Sequence, residues 1–194
     1  MIDIETAMNG LLEYEKDIVK RDRERSLLEY RSTLISRPGY RIDEFERFIR
    51  EDYFSWMNTT YYKEEFKSYI HLHPHCLSDI YASVKENKKD FESIISDIIK
   101  IDGIGAVLAT GMVALIDPNR YGIINNSVLH QLRKYGMVSV KHTVASECGI
   151  DEIIKMENAL GQIAMHFNSV FPHHKWNPRM VDKALWGLEK LETK

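Results

Sequence analysis

The chain is poor in the residues that carry several ready-made chemistries. Only two cysteines, Cys76 and Cys148, occur in 194 residues. Two thiols cannot build a disulfide framework or the four-cysteine cradle of an iron–sulfur cluster. No such cluster is expected, and a reduced, cytoplasmic setting is the expectation. No uninterrupted apolar run reaches the length of about eighteen residues that a membrane span needs. The opening MIDIETAMNG has no basic start followed by an apolar core, so no secretory signal is expected. The Gly-x-Ser-x-Gly elbow of serine hydrolases and the Walker loop are both missing. Positive charge in bulk is missing too. The net charge of −3 excludes a protein that coats nucleic acid electrostatically. The deficit is uneven: residues 1–97 carry −5, residues 98–194 carry +2, and five of the eight histidines lie in the second half. An anionic partner is therefore expected at the second half.

What is present is helical periodicity, nearly from end to end. Ile4, Ala7, Met8, Leu11 and Leu12 follow one helix face. The run KRDRER from Lys20 reads as a solvated face with paired charges, and Arg37-Pro38-Gly39 is the first clear break. Phe45, Phe48 and Ile49 open a second amphipathic stretch, followed by a dense set of aromatics at Tyr53, Phe54, Trp56, Tyr61 and Tyr62. Asp90 is a good N-cap for a stripe of Phe91, Ile94, Ile95, Ile98 and Ile99. Residues 106–116, AVLATGMVALI, are apolar all round and predict a buried central helix. Asn125 or Asn126 caps the next helix, Gly149 precedes a long one, and Asn177-Pro178 starts the last. MVSV at 137–140 is the one strand-like scrap. The pattern predicts an all-α fold of nine or ten helices in two lobes. One lobe spans residues 40–141 and the other combines 1–39 with 142–194.

The segment Ile101-Asp-Gly-Ile-Gly-Ala-Val-Leu-Ala109 lies between two strong helix patterns. So tight a turn between helices needs glycine where φ must be positive or a side chain would clash, and Gly103 and Gly105 meet that need. Ile104 between them can plug the space between the helices. The second helix then begins with unpaired backbone N–H groups, which form an anion site needing no lysine or arginine. A DNA phosphate fits there, so Gly103, Ile104, Gly105 and Ala106 are candidate phosphate-binding residues. An ordinary helical hairpin with a glycine turn is the plainer reading of the same residues.

Downstream come Asp117-Pro-Asn-Arg-Tyr121, Gly-Ile-Ile-Asn-Asn-Ser-Val128 and LHQLRKYG at 129–136. This order, with the hairpin, resembles the helix-hairpin-helix DNA glycosylase superfamily, and the last helix, Arg179 to Trp186, resembles that of its small members. The resemblance spans about residues 40–190, with motif-grade matches only in 101–136. It implies binding of double-stranded DNA, hydrolysis of the N-glycosidic bond of a damaged or modified base, and a possible monovalent cation at the hairpin. It places Asn125 where the family has its catalytic aspartate. Asparagine keeps the shape but loses the charge, and it cannot act as a general base. The lysine of the lyase branch is matched by Val107, so lyase chemistry is not expected. Three explanations stay open: a non-catalytic DNA- or protein-binding module; an enzyme using another carboxylate, with Asp117 and Asp102 nearest; or an aspartate changed to asparagine to trap a complex. An Asp-Pro helix end is also ordinary turn chemistry.

The resemblance further implies that aromatics of the lobe preceding the hairpin hold the flipped base. Tyr53, Trp56, Tyr61 and Tyr62 are the candidates, though aromatics on helices usually serve a core. Arg120, Arg133 and Lys134, with Lys141 and His142 behind them, are candidate phosphate contacts, unless they merely keep the surface soluble. HLHPHC at 71–76 has zinc-ligand residue types at a spacing too tight for a tetrahedral site, and His173-His174 could join it only by tertiary contact. No metal is expected.

Overall fold

A computed structural model describes residues 2–20, 42–57, 59 and 63–193. Residues 21–41, with most of KRDRER and the Arg37-Pro38-Gly39 break, lie outside the described residues, as do Tyr61 and Tyr62. Ten α-helices occur among the described residues: α1 (Ile4–Lys20), α2 (Ile42–Glu51), α3 (Tyr53–Trp56), α4 (Lys63–Leu72), α5 (Cys76–Lys85), α6 (Phe91–Ile98), α7 (Ala106–Ile116), α8 (Asn126–Lys134), α9 (Ile150–Val170) and α10 (Pro178–Glu192). A single 3-10 turn, Ala145–Glu147, precedes α9. No strand occurs among the described residues, and Met137–Val140 is irregular. With no neighbouring strand to complete a ladder, four strand-prone residues cannot satisfy their backbone groups as a sheet.

The helix ends follow local chemistry. Asp90 caps α6 by accepting from Ser93 N at 2.7 Å. Asn125 caps α8 by accepting from Val128 N at 3.1 Å. Asn177 caps α10, with Pro178 at the first position where no N–H is needed. Pro74 separates α4 from α5 because its ring cannot continue a helix. α7 is buried from Leu108 to Ile116, as its unbroken apolar composition requires.

Two apolar clusters form around α7. The first joins α2 to α7 and the loop after it, from Phe45 to Ile123. The second takes Ile2 and Ala7, then Ile124 and the apolar faces of α8, α9 and α10. The seam falls between Ile123 and Ile124, and α8 packs with the C-terminal helices. Val128, Leu129 and Leu132 are fully buried on that side. α1 lies along α10 in the most extensive helix contact among the described residues. Gly10 and Gly187 let the two backbones touch there: a Cβ on Gly187 would meet the Gly10 carbonyl oxygen at 1.8 Å. No helix among the described residues is long and apolar enough to cross a membrane.

Candidate nucleic-acid interface

In the α6–α7 hairpin the glycine requirement expected at both positions holds at Gly103 but not at Gly105. Gly103 sits at φ +83°, a left-handed conformation that costs an L-residue about 1–2 kcal/mol. Ile104 is 5% exposed, driven between the helices, and its N–H donates to Ile101 O at 3.0 Å. Gly105 is the N-cap of α7 at φ −93°, ψ 177°, without a side-chain cap. It is exposed, and a Cβ there would meet nothing within 4 Å. Glycine at 105 is thus needed neither for backbone conformation nor for internal room. Its effect is to leave the first turn of α7 uncapped and open to approach.

After a turn at 118–120, residues 121–125 lead without regular structure to α8, and three consecutive amides are each held by a different helix. Gly122 N donates to Glu157 Oε1 of α9 at 2.9 Å. Ile123 N donates to Asp182 Oδ2 of α10 at 2.6 Å. Ile124 N donates to Thr110 Oγ1 of α7 at 3.1 Å. A buried chain with no strand partner needs such acceptors. Together they fix the position of Asn125 at the start of α8. Asn126 extends the clamp, accepting from Ala145 N at 2.8 Å.

The clamp is electrostatically unusual. Asp182 forms a buried ion pair with Arg179, whose guanidinium also donates to the Tyr14 hydroxyl at 3.3 Å. Burial still pushes the Asp182 carboxyl up to about 6, against the pull of Arg179. Burial pushes Glu157 up to about 8, with Gly122 N–H pulling the other way. At neutral pH Glu157 is therefore held neutral beside an ionised Asp182, and Glu157 Oε2 has no hydrogen-bond partner among the described residues.

A raised folded-state pKa gives a definite sign. Glu157 binds its proton more tightly folded than unfolded, so its contribution is full below pH 4.5 and is lost as pH rises towards 8. At about 1.4 kcal/mol per unit, the loss between pH 6 and pH 8 is about 2 kcal/mol. Glu157→Gln keeps an oxygen for Gly122 N–H and removes the titration. Urea unfolding at pH 6 and pH 8 should show a wild-type stability drop that the variant largely lacks. An equal drop in both would mean Glu157 ionises normally in the fold.

The sequence candidates distribute as follows. Tyr53 is 0% exposed and its hydroxyl donates to Leu108 O, so it anchors α3 to α7 from inside the core; Phe54 is buried beside it. Trp56 is half-buried, with the Arg179 guanidinium 6.0 Å from its ring centroid. Through Arg179 and Asp182 it connects to Ile123, two residues from Asn125. Asp117 accepts from Arg120 Nε at 2.7 Å. Arg120 is otherwise occupied by Asn87 at 2.8 Å and Val84 O at 2.5 Å, which fastens the loop after α7 to the end of α5. Arg133 is exposed and its Nη1 reaches His142 O at 3.4 Å. Lys134 is exposed but paired with Glu192 at 2.5 Å. Asp102 is exposed in the hairpin turn, Lys141 is exposed beyond α8, and Val107 packs against the second cluster. Helix and loop patterns singled out none of Thr110, Glu157 and Asp182.

A cleft of about 390 Å³ opens beside the clamp, lined by Phe91, Arg120, Tyr121, Glu157, Asn158 and Met165 among others, and by neither Asn125 nor Trp56. Comparison of the chain with protein-family models, with curated proteins and with solved structures finds no match.

Proposed function

We propose that the chain binds double-stranded DNA in the manner of base-excision glycosylases, with Asn125 in the position of the catalytic carboxylate. The observation that carries this reading is the coupling of two features. The exposed glycine turn opens the uncapped start of α7, and Thr110 of that same helix holds the residue before Asn125. A phosphate seated on the α7 amides would thereby set the register of the DNA backbone relative to the α8 N-cap.

Each residue then has a stated task. Of the hairpin candidates, the amides of Gly103, Gly105 and Ala106 take the phosphate, while the Ile104 N–H is engaged by Ile101 O. Arg133 and Lys141, both exposed, add charge nearby, and Lys134 would have to leave Glu192 to do so. Trp56 is the half-buried aromatic best linked to Asn125. Arg120, with its guanidinium committed within the fold, serves positioning. Asn125 itself contributes hydrogen bonding and no charge, so the chain as it stands is a binder first. Asp117 is already engaged by Arg120, which makes it a poor substitute base. With Val107 at the lyase position there is no amine for Schiff-base chemistry.

Gly105→Asp separates binding from folding. The φ and ψ at 105 suit any residue, there is room for the side chain, and aspartate is a better N-cap than glycine by a few tenths of a kcal/mol. Stability should hold or rise slightly. DNA affinity at low salt, read by fluorescence anisotropy of a labelled duplex, should fall at least about tenfold because the new carboxylate takes the phosphate's place. Unchanged affinity would remove the hairpin from the binding surface.

A further inference from the structure

The loop between α8 and α9, whose 3-10 turn packs against α7, brings together three side chains of different donor chemistry. One ligand atom each of His142, Cys148 and Glu152 lies within 4.8 Å of the other two. His142 Nδ1 is 2.5 Å from Glu152 Oε2. Cys148 is 7% exposed, and the side chains of Glu152 and His142 are 12% and 35% exposed. The site is sheltered on one side and open on the other.

The backbone holds these residues in place. The 3-10 turn Ala145–Glu147 brings Cys148 to the position just before Gly149, the N-cap of α9. Glu152, in the first turn of α9, then folds back over the loop. Its Oε1 accepts from Lys141 N at 2.6 Å and His142 N at 3.3 Å, and its Oε2 accepts from Gly149 N at 3.2 Å. One carboxylate thus ties both ends of the loop and presents the imidazole to itself. The thiol makes a weak contact with Val144 O at 3.7 Å and also interacts with the Glu152 carboxylate.

We propose that His142, Cys148 and Glu152 form a binding site for a divalent transition ion of the zinc type, completed by water. Imidazole nitrogen, thiolate sulfur and carboxylate oxygen form the donor set that borderline-soft ions take, with bonds of about 2.0–2.3 Å. Binding deprotonates Cys148: the S–H bond breaks, a metal–sulfur bond forms, and the proton passes to solvent. The ion replaces the direct contact between His142 and Glu152, which must open by roughly 1 Å to tetrahedral spacing. A thiolate and a carboxylate balance the double charge. That offsets the two features opposed to a cation there, Arg133 alongside, whose Nη1 reaches His142 O, and the positive end of α9. The α9 terminus acts through Gly149 N on Glu152, not on the ion. The ion would lock residues 141–152 to the start of α9. HLHPHC makes no comparable group: among the described residues its histidines are exposed, and the His73 ring lies tilted against Tyr69 with centroids 4.3 Å apart.

The test is a titration of the whole chain, freed of metal by chelation, with cobalt(II), followed by zinc(II). A sulfur-to-cobalt charge-transfer absorption should appear and saturate at one ion per chain, and zinc should abolish it. Cys76→Ser, which removes the other thiol, should keep the band. Cys148→Ser should lose it, and His142→Ala should weaken cobalt binding at least about tenfold. His142 is partly exposed, so that variant reads affinity rather than folding. Zinc should also raise the unfolding temperature of the wild type and of Cys76→Ser. No band in the folded wild type, a band that survives Cys148→Ser, or one lost in Cys76→Ser would overturn the site.

Discussion

On the proposed function, Asn125→Asp should gain base excision on duplexes that the present sequence should leave intact. The side chain at 125 already accepts from Val128 N at 3.1 Å, and an aspartate makes the same cap with comparable strength. Folding stability is therefore unchanged to within a few tenths of a kcal/mol. The carboxylate stays ionised, because the amide of Val128 and the start of α8 both favour its charged form. On the proposed function, one full negative charge would then stand where a cationic sugar develops as the base leaves. General-base and electrostatic contributions of this kind are worth about 10²–10⁴ in rate. The assay is release of abasic sites from duplexes carrying deaminated, oxidised or alkylated bases, scored by alkaline strand scission. A folded Asn125→Asp protein that binds these duplexes and cuts none of them removes Asn125 from the catalytic position. Cleavage of equal rate by the unaltered chain assigns the chemistry to another carboxylate.

Gly187→Ala is expected to cost about 3 kcal/mol or more, at or beyond the upper end of what overpacking usually costs. Two effects oppose each other. Alanine favours a helix interior over glycine by about 1 kcal/mol. Against that, the new Cβ would stand 1.8 Å from the Gly10 carbonyl oxygen and 3.0 Å from Tyr14 N. Both are backbone atoms, so no rotamer change relieves them. α1 must move off α10, and Ala7 and Ile2 lose their cover against the second cluster. The clash outweighs the propensity, and the melting temperature should fall by roughly 10 °C. Gly161→Ala in α9 is the matched control. A Cβ there meets nothing within 4 Å, so it should gain about 0.5–1 kcal/mol from propensity alone. A Gly187→Ala protein as stable as the wild type would mean that the two helices do not touch at this crossing.

Local chemistry was readable before the fold was known. Asp90, Asn125 and Asn177 act as caps because capping involves a side chain and an amide two or three residues away. Gly103 takes a positive φ because the hairpin is a local constraint. The burial of α7 follows from its composition alone. What long-range contact decides could not be read. Glu157 and Asp182 look like solvated positions on amphipathic helices, yet both turn inward to hold amides of residues 122 and 123. Tyr53 is a pocket candidate whose plainer reading is core, and its link to Leu108 places it in the core. α8 carries an apolar face without saying which lobe receives it. His142, Cys148 and Glu152 match no metal-binding spacing, and only the fold of their loop brings them together.

The central claim is that DNA is held by hairpin amides rather than by bulk charge, and one titration addresses it. The affinity of the whole chain for a labelled duplex is measured by anisotropy from about 20 to 200 mM salt, beside Gly105→Asp. The account predicts binding at low salt with a shallow salt slope of about two or three released ions, since it assigns the phosphate to hairpin amides with only Arg133 and Lys141 adding charge. It also predicts a loss of at least about tenfold in Gly105→Asp. Absence of binding at the lowest salt, or a steep slope with Gly105→Asp binding as tightly as the wild type, would contradict it.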